Sequence, residues 1–133
     1  MFYLSSVGAL FVSALATLFY VAAGAGFVLD LLGACSVGLL LSGVLLNVSN
    51  AKLGCKLSAL GAGVSAIVVL FGIAEVVRPS LEQPGQKFLL LVPGIFLLVL
   101  VLHLASVRSR WGEIESEALM NALKSASIDS KCR

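Results

Sequence analysis

Three ionisable side chains lie within or beside long apolar runs of this sequence: Asp30, Glu75 and His103. Such groups in lipid are costly, and they usually carry protons or bind ions. A proton-coupled transporter would need them close enough to exchange a proton. Glu75 lies three residues before Arg78, and His103 five residues before Arg108. That places them near opposite faces of a hydrocarbon core about 30 Å thick, roughly 15 to 20 Å apart at about 1.5 Å per helical residue. A direct relay between them is excluded at that separation. Each also has a local explanation: Glu75 can pair with Arg78 on one helix face, and His103 can stay neutral and bond a neighbouring helix. Asp30 reads as a cap or turn residue between two spans, with ion or proton binding as the competing reading.

Other chemistry finds less support. His103 is the only histidine, and no carboxylate is placed in sequence to orient it against a serine or cysteine nucleophile. Cys35, Cys55 and Cys132 form no Cys-x-x-Cys pair, which argues against a thiol oxidoreductase, a disulfide framework or a zinc site. Cys55, beside Lys56 at a membrane edge, is a candidate for reversible palmitoylation, whereas Cys132-Arg133 is no prenylation box. The glycines are scattered through apolar stretches and form no phosphate loop; Gly61-Ala62-Gly63 reads as packing material. The expectation is a protein that is not an enzyme and holds no cofactor or metal.

The elements that position these residues follow from composition. Of 133 residues, 59% are apolar and 12% charged, and the mean hydropathy is +1.08. A soluble domain carries about a quarter charged residues, so the solvent here is a bilayer. A net charge of +2 is too small and scattered for a nucleic-acid binder. A spanning helix needs roughly 20 apolar residues. Four runs qualify, at about 3–28, 31–48, 57–77 and 88–107, forming a membrane domain 1–107 followed by a tail 108–133. The turns fall near Asp30 among Gly24, Gly26 and Gly33, at Asn47 to Lys52, and at Arg78 to Lys87, which holds Pro84-Gly85. Pro79 is expected to end the third helix, and Pro93-Gly94 to mark a late start or mild kink of the fourth. The first run is too long, and lacks a preceding basic residue, for a signal peptide, although Ala22-Ala23-Gly24-Ala25 would allow cleavage.

Orientation follows from the basic residues. Lys52, Lys56, Arg108 and Arg110 fall on one side, Arg78 and Lys87 on the other, which predicts both termini in the cytoplasm. The sequon Asn47-Val48-Ser49 then lies on the side where glycosylation does not occur. Small residues recur every fourth position on three spans: Ser5, Ala9, Ser13 and Thr17; Ala34, Gly38 and Ser42; Gly54, Ser58, Ala62 and Ala66. Such faces let helix backbones approach closely in lipid. The fourth span, Leu89 to Leu102, is almost uniformly bulky and is expected to face lipid or a partner. In the tail, Trp111, Ile114, Ala118, Leu119, Ala122, Leu123 and Ala126 oppose Glu113, Glu117, Asn121 and Lys124, which predicts a short amphipathic helix, with Glu115 intruding on its apolar side. Arg108, Arg110 and Trp111 are suited to anchor the membrane interface. Ser127 to Arg133 reads as disordered.

The stretch Leu57 to Gly112 has two spans joined by a short polar loop, then Leu91-Val92-Pro93-Gly94-Ile95-Phe96 and a basic segment from Arg108 to Gly112. In this it resembles the transmembrane protein 230 family, whose last span carries a Pro-Gly-aromatic signature before a small and basic juxtamembrane segment. The resemblance covers less than half of the chain and implies an endomembrane protein of vesicle traffic. It transfers no functional residue, since that family has two spans, Ile95 stands where an aromatic is usual, and its glycine-tyrosine pattern is absent. The sequence therefore predicts an all-α integral membrane bundle of four transmembrane helices with a short cytoplasmic helix. Its expected function is that of a scaffold or subunit of a larger membrane complex, with lipid and other membrane subunits or its own copies as partners. The alternative is a small transporter or channel component using Asp30, Glu75 or His103.

Overall fold

The computed structural model describes residues 1–23, 26–80 and 91–131, with side chains within 1–22, 26–74 and 91–125. Among the described residues every element is helical: α1 (Phe2–Ala23), α2 (Phe27–Ser49), α3 (Ala51–Ser80) and α4 (Leu91–Lys131). All four are long and apolar enough to cross a membrane. The chain is thus built as a multi-pass, all-α membrane protein.

The turns differ in detail from those expected. Gly26, at φ 112°, adopts a backbone conformation that side chains disfavour, and its carbonyl accepts the amides of Leu29 and Asp30. Gly26 is therefore the N-cap of α2, with no side-chain hydrogen bond, and Asp30 is not the cap but lies in the first helical turn. A carboxylate there faces the positive end of the helix dipole. The break between α2 and α3 shrinks to one residue. The Asn50 amide donates to the Leu46 carbonyl at 2.7 Å, closing α2, while Asn50 Oδ1 accepts the Leu53 amide at 3.2 Å, opening α3. Because one asparagine caps both helices, α3 starts at Ala51, six residues before the apolar run begins. It ends at Ser80, one residue past Pro79. The Pro84-Gly85 turn, Lys87 and the expected start of the fourth span at Phe88 lie outside the described residues, as do Gly24, Ala25 and Cys132. Pro93 falls in the first turn of α4, where its missing amide costs little.

The tail is not a separate short helix. α4 is continuous over 41 residues, about 60 Å at the usual rise and about twice the thickness of a hydrocarbon core. Between Arg108 and Lys131 the sequence has no proline and one glycine, and local pairs support the helix. Arg110 Nη1 meets Glu113 Oε2 at 2.7 Å, and Trp111 Nε1–H donates to Glu115 Oε1 at 2.8 Å. The second bond explains why Glu115 stands on the tryptophan side. The backbone stays helical through Lys131, so the segment from Ser127 is not the disordered end that its composition suggested.

The helices pack on seams that alternate steps of four and three. The buried seam positions are Phe2, Ser6, Ala9, Ser13, Ala16 and Tyr20 on α1; Gly33, Ser36, Leu40, Gly43 and Asn47 on α2; Gly54, Ser58, Gly61, Ser65, Val68 and Gly72 on α3; and Leu100, His103 and Val107 on α4, with Val12, Cys55, Ala62 and Val69 buried beside them. This is the heptad spacing of helices that wrap with a left-handed supercoil. It corrects the expected face of α2: Ala34, Gly38 and Ser42 are exposed. A strict four-residue step turns about 40° further round the helix each time, whereas the 4-3 alternation stays on one side. On α1 and α3 the two patterns share Ala9, Ser13, Gly54 and Ser58, all buried, while Ser5, Thr17 and Ala66 are half-buried and Ala62 is buried beside the seam. The closest backbone-to-backbone contact joins α2 to α3. A Cβ on Gly43 would lie 2.6 Å from the Ser58 amide nitrogen, and one on Gly54 would lie 2.5 Å from that of Asn47. Backbone meets backbone there, which only glycine permits.

Candidate functional site

Bulky residues such as Leu98, Val101 and Leu102 cover most of α4, which reaches the bundle through Leu100, His103 and Val107. His103 is the polar member of that seam and is fully buried. Its Nε2 lies 2.8 Å from Ser58 Oγ on α3, and its Nδ1 lies 3.2 Å from Ser5 Oγ on α1. One imidazole thus ties three helices. Ser5 Oγ also meets Ser106 Oγ and donates to the Phe2 carbonyl at 2.8 Å, while Ser106 Oγ lies 2.8 Å from the His103 carbonyl. The Phe2 ring closes the site, with its centroid 6.0 Å from that of His103.

A neutral imidazole has one donor and one acceptor nitrogen, and each hydroxyl facing it can take either role, so Ser5 and Ser58 engage both ring nitrogens in either tautomer.

The Ser58–His103 distance is that of a nucleophile and its base, but the surroundings do not serve catalysis. Both ring nitrogens face hydroxyls, so no carboxylate orients the ring. Ser58 and His103 are wholly inaccessible. A cleft of about 240 Å³ between the start of α1 and α4 is lined by Ser106, Ser109, Arg110 and Glu113, but its lining does not include His103. Among the described residues no three His, Cys, Asp or Glu side chains are grouped to hold a metal ion.

The other candidates are dispersed. Asp30 sits at the opposite end of the bundle from His103, half-buried, with Oδ1 shielded from solvent and lacking a hydrogen-bond partner. The side chains of Glu75 and Arg78 lie outside those described, so their pairing stays an expectation. Arg108 is exposed and Arg110 pairs with Glu113. Trp111 packs with Ile114 against Phe2, Cys55 and Val107, and Lys56 Nζ lies 5.9 Å from its ring centroid.

Cys55 is not placed for palmitoylation. Its thiol is fully buried against α2, with Asn47 Nδ2 at 3.4 Å from the sulfur. Asn47 is itself 5% exposed, with its amide turned to the Cys55 sulfur and the Ala51 carbonyl. Sequence reasoning missed Ser106, Ser65 and Tyr20. Ser65 bonds Ser13 across the bundle at 2.7 Å, and the Tyr20 hydroxyl donates to the Val68 carbonyl at 3.2 Å. For Ser65 and Tyr20 the signal was present as hydroxyl residues at heptad positions, visible only once the 4-3 step is read in place of the fourfold one; Ser106 stands beside the seam of α4.

Comparison with family models, curated proteins and solved structures returns no match.

Proposed function

We propose that this chain is a non-enzymatic multi-pass scaffold, or a subunit of a larger membrane assembly, with both termini in the cytoplasm. The observation that carries the reading is how the interior polar groups are used. His103, Ser5, Ser58, Ser13, Ser65 and Tyr20 bond one helix to another. A transport or catalytic site keeps a polar group open to its substrate. Here the ring nitrogens of the one buried histidine are both engaged. The large outward surface, with exposed side chains such as Leu4, Phe11, Phe19 and Phe71, fits contact with lipid and with membrane subunits. Lys52, Lys56, Arg108 and Arg110 support a cytoplasmic position for the end that holds His103. An endomembrane location in membrane traffic, as the resemblance of residues 57–112 to the transmembrane protein 230 family implies, belongs to the same proposal.

The competing reading, a transporter or channel component, has one observation in its favour: the unpartnered, shielded oxygen of Asp30. Reconstitution into vesicles decides between them. The scaffold reading expects no proton or ion flux from the purified chain, and co-purification with partners that survives Asp30→Asn. Flux that Asp30→Asn abolishes would overturn it.

A further inference from the structure

The outward face of α4 carries a second seam, turned away from the one that packs on α1 and α3. Within the apolar run it passes through Leu98, Leu102 and Ala105, all exposed. Beyond Arg108 it continues in the same alternation of four and three through Ser109, Gly112, Ser116, Leu119 and Leu123, again all exposed, with Ser109 also bordering the cleft beside α1. Leu119 and Leu123 are 66% and 62% accessible in the part of α4 that leaves the membrane. Six charged residues lie between Arg108 and Ser125, namely Arg108, Arg110, Glu113, Glu115, Glu117 and Lys124, and none falls on this seam. Leucines exposed at heptad positions leave apolar area in water, which a second helix would bury.

We infer that this face is a homodimer interface, in which α4 of a second copy lies parallel to the first from the membrane into the aqueous phase. The inference builds on the scaffold reading by naming one partner of the assembly. Two lines of argument select a second copy. Copies inserted in one membrane share an orientation, so their α4 helices run parallel about a twofold axis along the membrane normal. In a parallel heptad pair, the residue just before one seam position faces the residue five places further along the other helix. Those positions are Arg108 and Glu113, of opposite charge, and the twofold repeats the pair on both sides. Glu113 bonds Arg110 of its own chain through Oε2, so Oε1 remains to accept Arg108 of the second copy. The small residues Ala105, Ser109, Gly112 and Ser116 occupy the middle of the seam, where they let the backbones approach as Gly43 and Gly54 do between α2 and α3.

The test uses the full chain in membranes, with Cys35→Ser, Cys55→Ala and Cys132→Ser as background. Under mild oxidation Ser116→Cys should form a disulfide-linked dimer, and Asn121→Cys, on the other side of α4, should not. Light scattering in detergent should give the mass of two copies, halved by Leu119→Glu with Leu123→Glu. Those side chains are exposed, so the bundle should keep its thermal transition. Arg108→Glu should weaken the dimer, and adding Glu113→Arg should restore it. Equal cross-linking at both positions, or a monomeric chain, would overturn the inference. So would a photo-crosslinker at Leu119 that captures lipid or a different protein. A monomer that still co-purifies with other subunits leaves the scaffold reading standing, whereas flux from the isolated chain removes that reading without touching the dimer.

Discussion

His103 shows how a group that suggests chemistry can have both of its polar atoms engaged by neighbouring helices. Its two ring nitrogens are hydrogen-bonded to Ser58 and Ser5, so removing any member leaves a buried polar atom without its partner. Interhelical hydrogen bonds in membranes contribute about 0.6 to 2 kcal/mol, and Ser58→Ala should cost about that much in a detergent unfolding titration. His103→Ala should cost more, because it also opens a cavity and frees two hydroxyls. A double-mutant cycle of the two should show clear coupling; strict additivity would mean that the contact is incidental. Cys55 carries a second prediction at this scale. Metabolic labelling with palmitate should be unchanged by Cys55→Ser, because the thiol faces Asn47 and not lipid. The sequence made the depth of His103 readable from Arg108, five residues on. It concealed the partners, since Ser5 and Ser58 are 98 and 45 residues away and only the fold brings them together.

At the scale of the helix, the decisive quantity is the step between contact positions. The four-residue spacing of small residues coincides with the heptad at Ala9, Ser13, Gly54 and Ser58, which are buried, and departs from it on α2, where Ala34, Gly38 and Ser42 are exposed. Apolar periodicity could not arbitrate, because lipid-facing and core-facing positions are both apolar in these helices. Two glycines on α2 separate the alternatives. Gly43→Ala should destabilise by about 1 to 3 kcal/mol, since its methyl group would meet the backbone of α3. Gly38→Ala meets nothing within 4 Å and should be neutral, or stabilising by up to about 1 kcal/mol through helix propensity. Thermal unfolding of both variants side by side makes the comparison, and equal effects would refute the assigned face. The boundary of the fourth helix was illegible for a related reason. A shift from apolar to polar residues marks where the solvent changes, and a helix ends only where its backbone bonds do. Nothing between Arg108 and Lys131 stops them.

At the scale of the whole molecule, the proposed topology crosses the membrane four times and so has both ends on one side, and the basic residues make a claim about all of it. Tags at the two termini should be accessible from the same face of sealed vesicles, and protease added there should trim α4 while leaving the bundle intact. Accessibility from opposite faces would contradict the arrangement of spans. The joint at Asn50 bears on how such a protein tolerates change. With a single residue between α2 and α3 there is no slack to absorb an inserted one. One additional residue would advance α3 by about 100° and 1.5 Å, turning Gly54 and Gly61 away from α2 and presenting bulkier neighbours in their place. The hairpin therefore behaves like a gear pair cut in one tooth position. Over evolutionary time, length changes should be rejected at this joint.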